Sequence, residues 1–312
     1  MRALNNALQV IKECTVFFSI FGDIEQDVNK KNIDFSVISD VSDEFFRLLV
    51  DFIRENSIDA LVLDFHESVD DYNLFKFLKV LRGNGVKLIA IDSLVKYQQY
   101  LDYIWIPSIY FDKSKVINKD GFCEVSFGWD HFLLDRNEKV NNWNSGNEVL
   151  ILTGGADLLG LSSWFPAILD KKLPKLSVIN WVKGPFSKHP NLPIKSNLIW
   201  KIHDSPKDMH KLICSNDYVW TLFGVSFFEA LQYGLPTVVM PYDPNKNKAE
   251  LGIIENKSIA IVASNPNDSV DALSFLMQND NLAKELSKNA KSKMLDNGCN
   301  LLANKIYKLV RS

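Results

Sequence analysis

Along this chain, short apolar runs alternate with stretches in which apolar residues recur every three or four positions. Ala60–Leu63, Lys87–Ile91, Tyr103–Ile106, Glu148–Leu152, Tyr218–Leu222 and Thr237–Met240 are near-continuous apolar runs of strand length. That pattern predicts strands buried on both faces. Thr15–Phe21, Asp34–Ile38, Ser177–Val182, Asn197–Lys201 and Ile259–Val262 predict further strands, and Glu124–Phe127 an edge strand. Helical spacing marks Arg2–Lys12, Ser42–Glu55, Asp70–Arg82, Leu161–Leu169, Asp204–Cys214, Ser269–Gln278, Leu282–Met294 and Leu301–Val310. Strands alternating with helices predict an α/β chain with parallel sheets and right-handed crossovers. Periodicity fades after Phe111, and residues 136–147 are polar. The expected layout is a first domain over 1–135, a linker over 136–147, a second domain over 148–297, and a terminal helix over 298–312 that crosses back to the first.

The second half is organised around Tyr218–Leu251. A buried strand leads to Gly224, where a missing Cβ lets a ligand approach the backbone. Ser226 is placed to cap the helix that follows, whose packed face is Phe227, Phe228, Ala230 and Leu231. That helix stops at Gly234, and Pro236 opens the next strand. The unit sets a helix N-terminus beside a carboxylate, Glu229. Helix N-termini favour phosphate oxygens, and a carboxylate nearby can accept both hydroxyls of a ribose diol. The alternative is an ordinary turn at Gly224 and a solvated Glu229. Replacing Gly224 with Val is expected to impair packing as well as binding, by crowding the turn.

Other candidates lie where strands end. Glu148–Leu152 runs into Gly154 and Gly155, and Ser177–Val182 into Lys183, Gly184 and Pro185. Strand–Gly-Gly turns can bring amides to a pyrophosphate, and plain turns read the same way. Asp64, His66 and Asp92 follow first-domain strands. His66 can act as a base or orient a hydroxyl, since imidazole titrates near neutrality. Helix capping or simple exposure is the other reading, and Asp64 and Asp92 can equally accept amides of their own turns.

Composition narrows the function classes. The chain has 312 residues, a formal net charge of −3 and 46% hydrophobic residues. The near-neutral balance leaves no footprint for nucleic acid. No apolar run is long enough to span a bilayer, and the start lacks a signal-peptide pattern. A cytoplasmic location is expected, with peripheral membrane contact left open by the many Phe and Trp residues. Cys14, Cys123, Cys214 and Cys299 fit no metal spacing and read as reduced thiols. There is no Walker loop, zinc-protease motif or nucleophile elbow, and no cofactor is expected.

Taken together, MRALNNAL, DALVLDFHES, VKLIAIDSL, GWDHFLL, TLFGVSFFEALQYGLPTVVMPYDPNKNKAEL and DNGCNLLANKI resemble segments of the glycosyltransferase B superfamily. The nearer resemblance is to the nucleotide-sugar hydrolase of pseudaminic acid synthesis. The wider one is to the peptidoglycan UDP-N-acetylglucosamine transferase. It implies two Rossmann-like domains facing a central cleft. It also implies a nucleotide-binding set: Gly224, Val225 and Ser226 on the pyrophosphate, Glu229 on the ribose, Gly154 and Gly155 at a strand end, and Lys183 with Gly184 bordering the base. The family's glutamine after the second strand falls at Asn245, a shorter amide. The family's first strand and glycine–histidine loop have no counterpart, and are expected to be lost or to precede Met1. Without that histidine, His66 and Asp64 are the candidate catalytic residues.

The implied function is transfer from a UDP-sugar to a sugar or glycan acceptor in cell-surface glycan synthesis. The alternatives are hydrolysis of the nucleotide sugar by water, and a degenerate protein that binds it without turnover.

Overall fold

The computed structural model describes residues 4, 8, 18–21, 35–38, 43–64, 71–116, 123–135, 142–243, 245–295 and 298–312. The chain divides into two units, one formed by Met1–Leu133 with Asp296–Ser312 and the other by Leu134–Leu295. The expected helix Arg2–Lys12 and the first-loop question lie outside the described residues, apart from Leu4 and Leu8.

In the first unit, β1 (Phe18–Phe21) pairs in parallel with β2 (Phe35–Ile38). Helix α1 (Asp43–Glu55) follows. Then come β3 (Ala60–Leu63), α2 (Asp71–Gly83), β4 (Lys87–Ile91), β5 (Tyr103–Ile106) and β6 (Glu124–Phe127). Strands β3 to β6 form one parallel sheet in chain order. Strands β3 to β5 read as near-continuous apolar runs because alternate side chains enter different cores. Leu88, Ala90, Ile104 and Ile106 pack with Leu74, Phe77, Leu78 and Leu81, the i, i+3, i+4, i+7 face of α2. Ile89, Ile91, Tyr103 and Trp105 pack with Leu4 and Leu8, and with Leu302, Ala303 and Ile306 of the terminal helix Gly298–Val310. The helix starts at Gly298, three residues before the helical spacing at Leu301 predicts. A Cβ there would sit 2.5 Å from the Phe132 carbonyl oxygen.

The second unit contains β7 (Glu148–Leu152), α3 (Phe165–Lys172), β8 (Val178–Lys183), β9 (Ile199–Asp204), α4 (Met209–Cys214) and β10 (Tyr218–Leu222). It continues with α5 (Val225–Gln232), β11 (Thr237–Met240), α6 (Lys248–Asn256), β12 (Ile261–Val262), α7 (Pro266–Met277) and α8 (Asp280–Lys293). The six strands are parallel, in the order β12-β11-β10-β7-β8-β9. Bulky aromatics fill the main core. Phe165, Trp181 and Trp220 are fully buried, and the rings of Phe165 and Trp220 lie 4.5 Å apart. Trp220 can be this deep because its indole N–H donates to Ser269 Oγ at 2.8 Å. No helix among the described residues is long and apolar enough to cross a membrane.

The strand order reverses between β7 and β10. The chain first builds outward from β7 through β8 and β9, then returns to build β10 to β12 on its other side. Loops leaving β7 and β10 therefore diverge at the strands' carboxyl ends and leave a crevice there, the usual ligand position in such sheets.

Candidate functional site

Register levels the two strands that flank this crevice. Leu152 pairs with Thr221, so Thr153–Gly155 emerges beside Leu222–Gly224. Gly154 has φ +85°, the left-handed region that suits glycine. Gly184 is there because of close approach. A Cβ on it would lie 2.6 Å from Gly155 Cα and also strike the Gly155 carbonyl oxygen. That carbonyl accepts the Phe186 N–H at 3.0 Å, joining the loops after β7 and β8. Asp157 anchors the first of these loops, its carboxylate accepting the amides of Leu161 and Ser162 at 2.8 Å each. Thr153, at the end of β7, has a buried hydroxyl with no hydrogen-bond partner among the described residues.

Across the strand-order reversal, α5 begins at Gly224. This corrects the expected cap. Gly224 is the N-cap, Ser226 lies inside the first turn, and no side chain caps the helix start. Gly224 is exposed, a Cβ on it would meet nothing within 4 Å, and Val225 is 65% exposed. The first amides of α5 thus face open space with the positive end of the helix dipole behind them. The open surroundings also correct the expected crowding at this turn: at φ 168° the backbone is extended, and a side chain would not clash.

Glu229 sits one turn into α5 and is half-buried. Burial pushes its carboxyl above the ordinary carboxylate range, while His210 and the Ser226 hydroxyl, which hydrogen-bonds it, pull it back. Lys183 is half-buried and its ammonium pairs with Asp204 at 2.8 Å across the ends of β8 and β9. Hydrogen bonding from Lys183 holds Asp204 below the usual carboxylate range. Asn245 is exposed, in a turn where its amide donates to Asp243 Oδ1 at 2.9 Å. Asp64 is exposed just past β3 in the first unit, and His66 lies outside the described residues. The structure therefore brings Gly154, Gly155 and Gly184 together beside the Gly224–Glu229 turn. A recess of about 230 Å³ lined by Trp143, Lys284, Ser287, Lys288 and Lys291 shares no residue with them. Its lysines fall on one stripe of α8, Lys284 and Lys288 exposed and Lys291 half-buried against Gly234.

A polar chain in the first unit was not legible in the sequence. Tyr103 Oη lies 2.5 Å from Ser126 Oγ, which lies 2.8 Å from His131 Nε2. His131 Nδ1 lies 2.7 Å from Asp130 Oδ1. Serine, histidine and aspartate stand as in a hydrolase triad, but the serine oxygen is already held from its other side by buried Tyr103. His131 stacks on Trp105 with centroids 4.0 Å apart, and its carbonyl accepts the Trp105 indole N–H at 2.7 Å. Gly128 leaves room for the Asp–His pair, since a Cβ there would lie 2.8 Å from Asp130 Oδ1. These contacts make the chain a device that fixes the segment after β6.

No protein-family model matches this chain, and no curated protein matches it. Solved structures do. A MurG from Acinetobacter baumannii is 14% identical with a TM-score of 0.58, over 85% of this chain and 78% of that one. UGT2 of Phytolacca americana, solved with UDP-2-fluoro-glucose and pterostilbene, is 10% identical with a TM-score of 0.64, over 99% and 96%. MnaA of S. aureus, solved with UDP, is 14% identical with a TM-score of 0.58, over 100% and 93%. Likeness at these identities defines the fold alone: the chain has a GT-B-like two-domain α/β fold.

Proposed function

We propose that the chain is a nucleotide-sugar-dependent glycosyltransferase of glycan or polysaccharide synthesis, with a UDP-sugar donor held by the second unit. The observation that carries this reading is the uncapped, exposed start of α5 at the strand-order reversal, with Glu229 one turn on. The amides of Gly224, Val225 and Ser226 receive the diphosphate, and Glu229 accepts the ribose hydroxyls. The Gly154–Gly155 turn lets the backbone approach the donor closely, and Lys183 with Gly184 borders the base. Asn245 offers a shorter contact than a glutamine there.

In transfer, an acceptor hydroxyl oxygen bonds to the sugar's anomeric carbon and the bond from that carbon to the diphosphate oxygen breaks. UDP leaves with the electron pair, and the hydroxyl proton passes to a base. The α5 amides stabilise the charge growing on the diphosphate. Asp64 and His66 are the proposed bases. The fold is shared by proteins solved with different ligands, so it does not choose the reaction.

Calorimetry with UDP and UDP-sugars tests the donor site: micromolar or tighter binding is expected. Product analysis with and without acceptors tests the reaction. Sugar released as free monosaccharide regardless of acceptor would assign hydrolysis instead, and tight binding without turnover would assign a binding protein.

A further inference from the structure

Strands β8 and β9 end side by side, with Lys183 and Asp204 as the last pair of their ladder. Lys183 Nζ donates to Asp204 Oδ2 at 2.8 Å. The pair is unequal: the Lys183 side chain is 21% exposed and that of Asp204 65%. A covered stem fixes the ammonium, and the ammonium fixes a carboxylate that faces solvent. An ion pair of this kind adds little to stability, so its position is the informative feature. Gly184, next along the chain, lies against Gly155 and ties the end of β8 to the Gly154–Gly155 turn. In the order β10-β7-β8-β9 the two residues stand two and three strands from β10, about 10 and 14 Å at ordinary strand spacing. A nucleoside whose diphosphate rests at the start of α5 is long enough to cover that interval. Phe186, three residues past Lys183, is 73% exposed, while its amide is held by the Gly155 carbonyl at 3.0 Å. The loop after β8 therefore carries an aromatic ring to solvent on a fixed backbone.

We propose that Lys183 and Asp204 select the base of the donor: Lys183 donates to a uracil carbonyl oxygen, and Asp204 accepts the N3–H beside it. This rests on the reading of the start of α5 as the diphosphate site of a UDP-sugar. The N3–H of uracil is flanked by a carbonyl on each side. A protein donor and acceptor set side by side therefore match it in either orientation. Both groups keep capacity after pairing with each other, since an ammonium has three donors and a carboxylate about four acceptor positions. Asp204 Oδ1 receives the Ser205 hydroxyl at 3.4 Å, a long contact that leaves room for a second donor. Lys183 above all, with Ser205, holds the Asp204 carboxyl below the usual range, so at neutral pH it is charged and can only accept.

The test is calorimetry with UDP and with its N3-methyl analogue on the wild-type chain and on Asp204→Ala and Lys183→Ala. Methylation removes the N3–H and leaves the carbonyls, ribose and diphosphate in place. The wild-type chain is expected to bind the analogue roughly tenfold or more weakly, because a carboxylate placed for an N–H is left facing a methyl group. Asp204→Ala is expected to lose roughly tenfold in UDP affinity, the scale of one charge-assisted hydrogen bond, and to bind the two ligands nearly equally. Lys183→Ala should weaken both, since both keep the carbonyls, and unchanged affinities in that variant overturn the role of Lys183. A wild-type chain that binds UDP and the analogue equally overturns the inference while leaving the donor site standing. So does a preference for UDP that persists undiminished in Asp204→Ala, since another group then meets the N3–H. Should that variant lose its fold, the wild-type comparison decides. A wild-type chain that does not bind UDP overturns the donor-site reading itself.

Discussion

Gly184 and Gly224 look alike in the sequence and face opposite demands. Gly184 has backbone where its side chain would be, while Gly224 has open space. Gly184→Ala should therefore cost about 1–3 kcal/mol, because neither backbone can yield without strain. It should also displace Gly155. Gly224→Ala should change stability by less than about 0.5 kcal/mol and act on UDP affinity alone. Urea denaturation and calorimetry on both variants separate the two effects. The glycines themselves were readable as turn residues. Which of them was needed for approach and which for access was not, because that depends on a neighbour far along the chain. The pairing of His210 with Tyr233 was missed for the same reason: it exists only once α4 lies beside the end of α5.

Buried strands kept the frame that their apolar runs predict. β3, β4, β5, β7, β10 and β11 begin and end where the sequence places them. A strand buried on both faces is marked at each position, so its ends are sharp. Helix starts were less legible because polar residues compete for the cap. The expected helix from Asp204 begins at Met209 instead, with Asp208 accepting the Lys211 amide, while Asp204 belongs to β9. Edge strand β9 carries a mixed burial pattern and slipped accordingly. Leu161–Leu169 divides into a 3-10 turn, Leu161–Ser163, and α3, because Pro166 cannot lie deeper than a first helical turn. The link joining β5, β6 and the turn after β6 predicts its own outcome. His131→Ala strips Ser126 and Asp130 of a partner and removes the stack on Trp105, so it should lower the first unit's stability by about 1–3 kcal/mol. Denaturation followed by Trp fluorescence measures it.

At the scale of the molecule, the second unit is one continuous stretch, while the first needs both ends of the chain. Leu302, Ala303 and Ile306 share a core with Ile89 and Trp105, and Lys305 bonds Glu124 at 2.5 Å. A chain stopped before Gly298 should leave the sheet face at Trp105 uncovered. Limited proteolysis should then cut within residues 1–133 while 134–295 persists. Equal cleavage of both would contradict the shared core. The arrangement also sets an order on the ribosome. The second unit can close while the chain is still being made, whereas the sheet around Trp105 must wait, exposed to chaperones, until residues 298–310 have left the ribosome.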